Sequence, residues 1–270
     1  MSILQAVQQI RRMHGGSQAH LMRASDHAHY VVKYVNNPKS SRVLCNELFA
    51  TRLGIWLGLP MPAVAVIEVS DWLIKNSPEL RIRVGASEVP CRSGLQFASR
   101  YPGDPVNGHL EVYDDLPDRF LQQVENLDDL CRCIVLDKWT GNADARQAIF
   151  TRTRPSRQFR TLLIDQGDCF NAAQWNFSDL TIHGVYPRTG VYQAVTGWKS
   201  FEPVLTRAEE ADLGDLWRCA ERIPAEWYDH DTDGLERLVE AVYERRRNIR
   251  DLISAFRKSS RNPFPNWVEH

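Results

Sequence analysis

Three side chains able to handle a charged phosphate stand far apart in the chain: Lys33, Asp144 and Asp165. Lys33 closes the apolar run Tyr30-Val31-Val32, where an ammonium on a strand face needs a partner because an unpaired buried charge is costly. Glu47, in the second turn of the helix expected next, is the natural partner. Asp144 lies in residues 141–149 (GNADARQAI), between a long apolar helical segment and an apolar strand. Asp165 ends the run Leu162-Leu163-Ile164 and precedes Gln166-Gly167, a placement suited to holding a magnesium ion from inside a cleft. A lysine on a strand, a carboxylate in a loop after a helix and a carboxylate at a strand end are the parts that hold a nucleoside triphosphate and its metal during phosphoryl transfer. Each also has a plainer reading. A strand-end lysine can snorkel to solvent, and a loop aspartate is commonly a cap or turn residue. Upstream, Gly15-Gly16-Ser17-Gln18 is either a simple turn or a place where backbone amides approach a phosphate closely.

The elements that must position these groups follow from periodicity. Residues 1–14, with Ile3 or Leu4, Val7 and Ile10 on one face, are expected as a short helix. Residues 18–35 read as a hairpin turning at Ser25-Asp26-His27-Ala28, with Lys33 on the same face as Val31 and Val35. Residues 42–57 carry Leu44, Leu48, Phe49, Leu53, Trp56 and Leu57 at helical spacing, and Gly58, Pro60 and Pro62 stop them. Residues 63–69 are strand-like, and 71–83 are a short helix or an irregular excursion. Residues 94–98 make the last strand of a small N-terminal lobe. Tyr101-Pro102-Gly103-Asp104-Pro105 reads as a linker, which sets a boundary near residue 100. Beyond it, 118–140 reads as one buried helix, and two short strands flank a basic turn at 152–160. Residues 171–200 are loop-rich. Helical patterns follow at 205–221, 224–229 and 233–257, with an extended tail over 262–267.

A chain of 270 residues, 43% apolar and 25% charged, has ordinary soluble composition and room for two lobes sharing a cleft. Its net charge of −1 gives no global attraction to nucleic acid or acidic membranes. The one basic run, Arg245-Arg246-Arg247, is expected as a solvated helix face, so nucleic-acid binding through it is the weakest functional reading. No segment approaches the roughly 20 apolar residues of a membrane span, and the start carries no secretory pattern, so the expectation is cytoplasmic. The six cysteines are scattered and read as buried free thiols; no histidine or cysteine spacing suggests a structural metal. The absence of a G-x-S-x-G elbow argues against a nucleophilic hydrolase.

Taken in order, GGSQAHLM, YVVKYVNNP, NELFATRLGIWLGLPMP, GLQFASRY, LDKWTGNADARQAIF and LLIDQGDCF resemble the HipA-like kinase family over residues 12–170. That resemblance implies an α+β, two-lobed protein kinase-like fold. Residues 1–100 would form a small, mainly β nucleotide-binding lobe, and 101–270 a larger helical lobe carrying the catalytic and metal-binding loops. It implies ATP and Mg²⁺ as cofactors and a protein serine or threonine as acceptor. Gly15, Gly16 and Ser17 would cover the phosphates, Lys33 would contact the α- and β-phosphates, and Glu47 would orient it. The backbone of Gln96, Phe97 and Ala98 would meet the adenine, Asp144 would accept the acceptor's proton, and Asp165 would chelate the metal.

The family loop N/G-x-D-x-H-x-x-N is altered here, with Arg146 at the histidine and Ile149 at the metal-binding asparagine. Gln147 offers an amide oxygen two positions early as a substitute metal ligand. Arg146 is expected either to stabilise transferring phosphate charge or to pair with Asp144. The same departure keeps open a second reading, a nucleotide-binding pseudokinase acting as sensor or interaction scaffold.

Overall fold

The computed structural model describes residues 3–105 and 108–268. The chain opens with a strand, not with the helix expected over 1–14, of which Met1 and Ser2 lie outside the described residues. β1 (Leu4–Arg12) pairs antiparallel with β2 (His20–Ala24), Ala6 facing Ala24 and Arg12 facing His20. The supposed apolar face is not buried: Ile3 and Val7 are 48% and 49% exposed, and Ala6 turns inward instead. β1 completes the edges of two other strands, and local periodicity carries no record of such tertiary pairing.

The chain continues through β3 (His29–Lys33), α1 (Arg42–Trp56), β4 (Val64–Val69) and α2 (Asp71–Asn76). The small hairpin of β5 (Arg81–Val84) and β6 (Ser87–Pro90) then leads to β7 (Gly94–Arg100). Residues 71–83 thus resolve into a short helix and the start of a hairpin. A closed barrel forms in the order β1, β2, β3, β7, β4, with β4 returning to β1 through parallel pairing of Leu4 with Ile67. Tyr30, Val32 and Ala98 help fill its interior, together with Met22, Ile67 and Val69. A strand alternates faces at every residue, so Val31 and Lys33 point out of the barrel. α1 ends where its sequence requires: Gly58 adopts φ +85° and its N–H donates to the Ile55 carbonyl at 2.9 Å.

After Arg100 come β8 (Leu110–Tyr113), a 3-10 turn (Asp118–Gln123), α3 (Asp128–Thr140), β9 (Gln147–Thr153) and β10 (Arg160–Ile164). The expected single helix over 118–140 is broken in two. Between its parts the backbone pairs with the chain entering β10: Glu125 N–H donates to the Phe159 carbonyl at 2.9 Å, and Phe159 N–H donates to Gln123 at 2.9 Å. Asn126 extends this pairing, its amide oxygen accepting Thr161 N–H at 2.9 Å. Leu121, Val124 and Leu130 are buried by either arrangement, which is why the apolar stripe reads as one helix. β10, β9 and β8 form a three-stranded sheet.

The remaining helices are α4 (Val204–Glu210), α5 (Leu213–Ala220), α6 (Thr232–Arg245) and α7 (Ile249–Arg257). The pattern over 205–221 splits at Asp212, whose side chain caps α5 in a reciprocal box with Asp215. One large core joins α1 to α3 through α7, and the extended tail closes it with buried Phe264. All six cysteines are buried free thiols. Among the described residues no helix is long and apolar enough to cross a membrane.

Candidate active site

The outward faces of β3 and β7 border a cavity of about 850 Å³ whose far wall is formed by β9 and β10. Lys33 lies in the near wall, at the end of β3. Its Nζ donates to Glu47 Oε1 of α1 and, at 2.9 Å, to Asp165 Oδ1 just beyond β10. Glu47 is only 2% exposed, and its second oxygen accepts the Gln166 N–H at 3.0 Å. Burial disfavours the Lys33 ammonium, but the Asp165 and Glu47 carboxylates outweigh burial and hold its pKa above the ordinary range. One cation cannot balance two carboxylates. The Lys33 charge keeps Asp165 well below the usual carboxylate range, whereas burial pushes the deeper Glu47 up to about 7 against the pull of Lys33.

Gly15, Gly16 and Ser17 line the same cavity. Gly15 adopts φ +111°, which favours glycine, and neither glycine has a neighbour where a Cβ would stand, so the turn presents bare backbone. Asn37 Nδ2 donates to the Ser17 carbonyl at 2.9 Å and anchors the turn. Of the three residues expected to meet an adenine, Phe97 alone lines the cavity. Gln96 and Ala98 belong to the alternate face of β7, and Gln96 Oε1 is committed to the Val35 N–H at 2.7 Å. The backbone of all three is flanked by β4, and that of Phe97 and Ala98 also by β3, so it is occupied by the sheet. The wall continues instead through Ser99, Arg100, Tyr101 and Pro102.

The loop leaving α3 is fixed from beneath. Gly141 ends the helix in the left-handed region at φ +58°, where a Cβ would lie 2.9 Å from the Phe177 ring. Asn142 is buried, donates to Asp137 Oδ1 at 2.9 Å and accepts the Asp144 N–H at 3.2 Å. Arg146 pairs with Asp137 of α3, not with Asp144: Nε donates to Asp137 Oδ2 at 2.9 Å, while Nη2 reaches Asp137 Oδ1. It also donates to the Ile164 carbonyl and to Gln166 Oε1, both at 2.8 Å. At 1% exposure the side chain is a brace between the two loops, and its engaged donors leave it poorly placed to meet a phosphate. Asp144 itself is exposed and stands outside the cavity lining, whereas Gln147 lines the cavity and donates to Asp144 Oδ2 at 3.4 Å. Ile149 contributes apolar surface to the cavity. Among the described residues no group of three or more histidine, cysteine or carboxylate side chains is set to enclose a metal ion.

Several supporting residues escaped the sequence reading. Asn46 Nδ2 donates to the carbonyls of Gly167, Cys169 and Ala172, at 2.9, 3.0 and 2.8 Å, so consecutive α1 residues hold the segment after Asp165 and Lys33 itself. Asp137, within the apolar run Ile134-Val135-Leu136, was a visible signal, since a carboxylate on a buried helix needs a partner. Arg245 is not a solvated residue. It is 9% exposed, donates to the Trp139 and Lys138 carbonyls at the end of α3, and pairs with Asp179 at 2.7 Å.

A family model described as HipA-like kinase matches residues 6–252, well past the stretch in which the motifs stand. No curated protein matches the chain in sequence. Among solved structures, the Golgi casein kinase with Mn/ADP bound is similar at 11% identity, over 96% of this chain and 73% of that one, with a TM-score of 0.50. Hydra Fam20 with sugar is similar at 11% identity, over 96% and 87%, with a TM-score of 0.51. At such identity the likeness speaks for the fold, which is the two-lobed, α+β arrangement of protein kinases.

Proposed function

The chain belongs to the HipA-like kinase family, and on that footing we propose that it is an ATP-dependent phosphotransferase acting on a serine or threonine hydroxyl of a protein. The observation that carries the reading is Lys33, delivered by β3 into the cavity and held between Glu47 and Asp165. The group fits the residues present: at Lys33 one ammonium faces two carboxylates, Glu47 and Asp165, a local excess of negative charge that a divalent ion would offset. The similar Golgi casein kinase carries Mn/ADP, which supports the same ligand class.

Bound ATP with Mg²⁺ supplies the phosphoryl group and most of the charge neutralisation for its transfer. On this reading residues 1–100 bind the nucleotide and 101–270 carry the catalytic and metal loops. The amides at Gly15, Gly16 and Ser17 cover the phosphates, and Lys33, aimed by Glu47, meets the α- and β-phosphates. Asp165 holds the metal with Gln147 as a second oxygen donor. Asp144 takes the acceptor's proton as the new O–P bond forms and the bond to the leaving diphosphate breaks. A second reading, a non-catalytic nucleotide sensor, is favoured by Ile149 at the metal-ligand position and by Asp144 standing outside the cavity lining.

Thermal stability with ATP, with and without Mg²⁺, alongside labelled phosphate transfer, separates the two. Transfer that Asp144→Asn lowers about a hundredfold or more supports the kinase. Stabilisation by nucleotide without transfer supports the sensor, and no response to any nucleotide sinks both.

A further inference from the structure

Lys39, in the loop between β3 and α1, reaches across to the segment that follows Asp165. Its Nζ donates to both oxygens of Asp168, at 2.8 and 3.2 Å, while its side chain stays 52% exposed. Asp168 abuts the catalytic loop, its carbonyl accepting the N–H of Ala143, the neighbour of Asp144, at 2.9 Å. On the other side the same loop is tied to the glycine turn. Asn37 Oδ1 accepts the Lys39 N–H at 3.0 Å, and Asn37 Nδ2 donates to the Ser17 carbonyl at 2.9 Å. Partial burial disfavours the Lys39 charge, and Asp168, Asp165 and Asp144 together more than restore it.

An exposed lysine–carboxylate pair contributes little to stability, so folding gives no strong reason for this reach. The surroundings give a better one. Lys33 lines the cavity, where the inner phosphates are expected, and Lys39, just outside that lining, is held by Asp168 beside the loops that carry Asp144 and Asp165. The amide that the family places at Ile149 to hold metal is missing there. We propose that Lys39 is the second cation of the phosphoryl site, contacting the γ-phosphate of bound ATP and replacing positive charge that the altered metal site lacks. This rests on the kinase reading of the same cleft. When ATP binds, the ammonium leaves Asp168 for the γ-phosphate oxygens. No proton moves in that exchange.

The test is the ratio of ATP to ADP affinity, measured by titration calorimetry in Mg²⁺ for wild type, Lys39→Met and Lys39→Arg. Loss of one charge-assisted contact is expected to weaken ATP about tenfold in Lys39→Met and to leave ADP within about twofold, with Lys39→Arg keeping most of the ATP affinity. A merely structural loop lysine moves both nucleotides together, so equal losses overturn the proposal. Unchanged or tighter ATP binding overturns it too, because Lys39 is then only the counter-ion of Asp168. Wild type that binds neither nucleotide overturns the kinase reading along with it, whereas wild type that binds both with no effect of Lys39→Met overturns this proposal alone.

Discussion

Lys33 and Arg146 are both buried cations beside the same loops, with side chains 11% and 1% exposed, yet they keep different company. Arg146 faces one carboxylate, Asp137, and otherwise neutral acceptors, so its charge is matched and its donors are engaged. Lys33 faces two carboxylates and opens onto the cavity. A matched pair in low dielectric is a fixture, whereas an unmatched one is a place that still attracts charge. Burial, ion pairing and a place in the cavity lining, which the two share, therefore do not mark the functional member; the local charge count does.

The comparison breaks first if Arg146 proves dispensable. Arg146→Met strands Asp137 and is expected to lower unfolding free energy by about 3–5 kcal/mol in urea denaturation, with nucleotide affinity of the folded fraction little changed. Joint replacement by Arg146→Met and Asp137→Leu should recover part of that loss, because no charge is then left buried. A small effect of the single change would make the brace an ornament.

Lys33→Met should show the opposite profile: ATP affinity reduced about tenfold or more, with a stability change smaller than that of Arg146→Met near neutral pH. Glu47 is the reason. Its carboxyl, ordinarily near 4.5, titrates at about 7 in the fold, so it can take up a proton when its partner is gone.

The same residue gives the comparison a pH axis. Between its unfolded and folded values the folded state holds more protons, so Glu47 makes stability fall as pH rises through that window, by up to about 3 kcal/mol. Glu47→Gln removes this slope, and its stability relative to wild type should rise between about pH 5 and about pH 8. Parallel denaturation profiles would contradict the charge imbalance. The smallest effect is expected from Gly167→Ala, whose Cβ would lie 3.0 Å from Glu47 Oε1 and 2.6 Å from Val43. It should cost about 1 kcal/mol and weaken nucleotide binding modestly, since it presses on the partner of Lys33 and leaves Arg146 untouched.

Much of this was legible in the sequence, and the failures share a cause. Lys33, Glu47 and Asp165 each sit on an element with strong local signals, namely an apolar strand, a helix with a glycine stop, and a strand running into Gly167. The spacing therefore brought them together correctly. The strand nature of residues 4–12 was hidden because it depends on Ile67, far along the chain. The break at 124–126 was hidden because Phe159 supplies the pairing. Gln96, Phe97 and Ala98 were placed on a strand as expected, but their backbone is taken up by pairing with β4 and, at Phe97 and Ala98, with β3, which local sequence does not record. Arg146 was expected to stabilise transferring phosphate charge or to pair with Asp144, although Asp137 was the carboxylate with no water to turn to.

The closed barrel also sets an order of assembly. β2 and β3 are joined by a short turn and can zip locally, but Leu4 must wait for Ile67 before the circle shuts. β1 is thus among the last strands to be secured on both sides, and such non-local closures are the slow steps of folding. Until it is made, β4 has one edge without its partner and Lys33 sits on a sheet that has not yet closed. The barrel face that carries Lys33 is therefore completed late, when β1 meets β4.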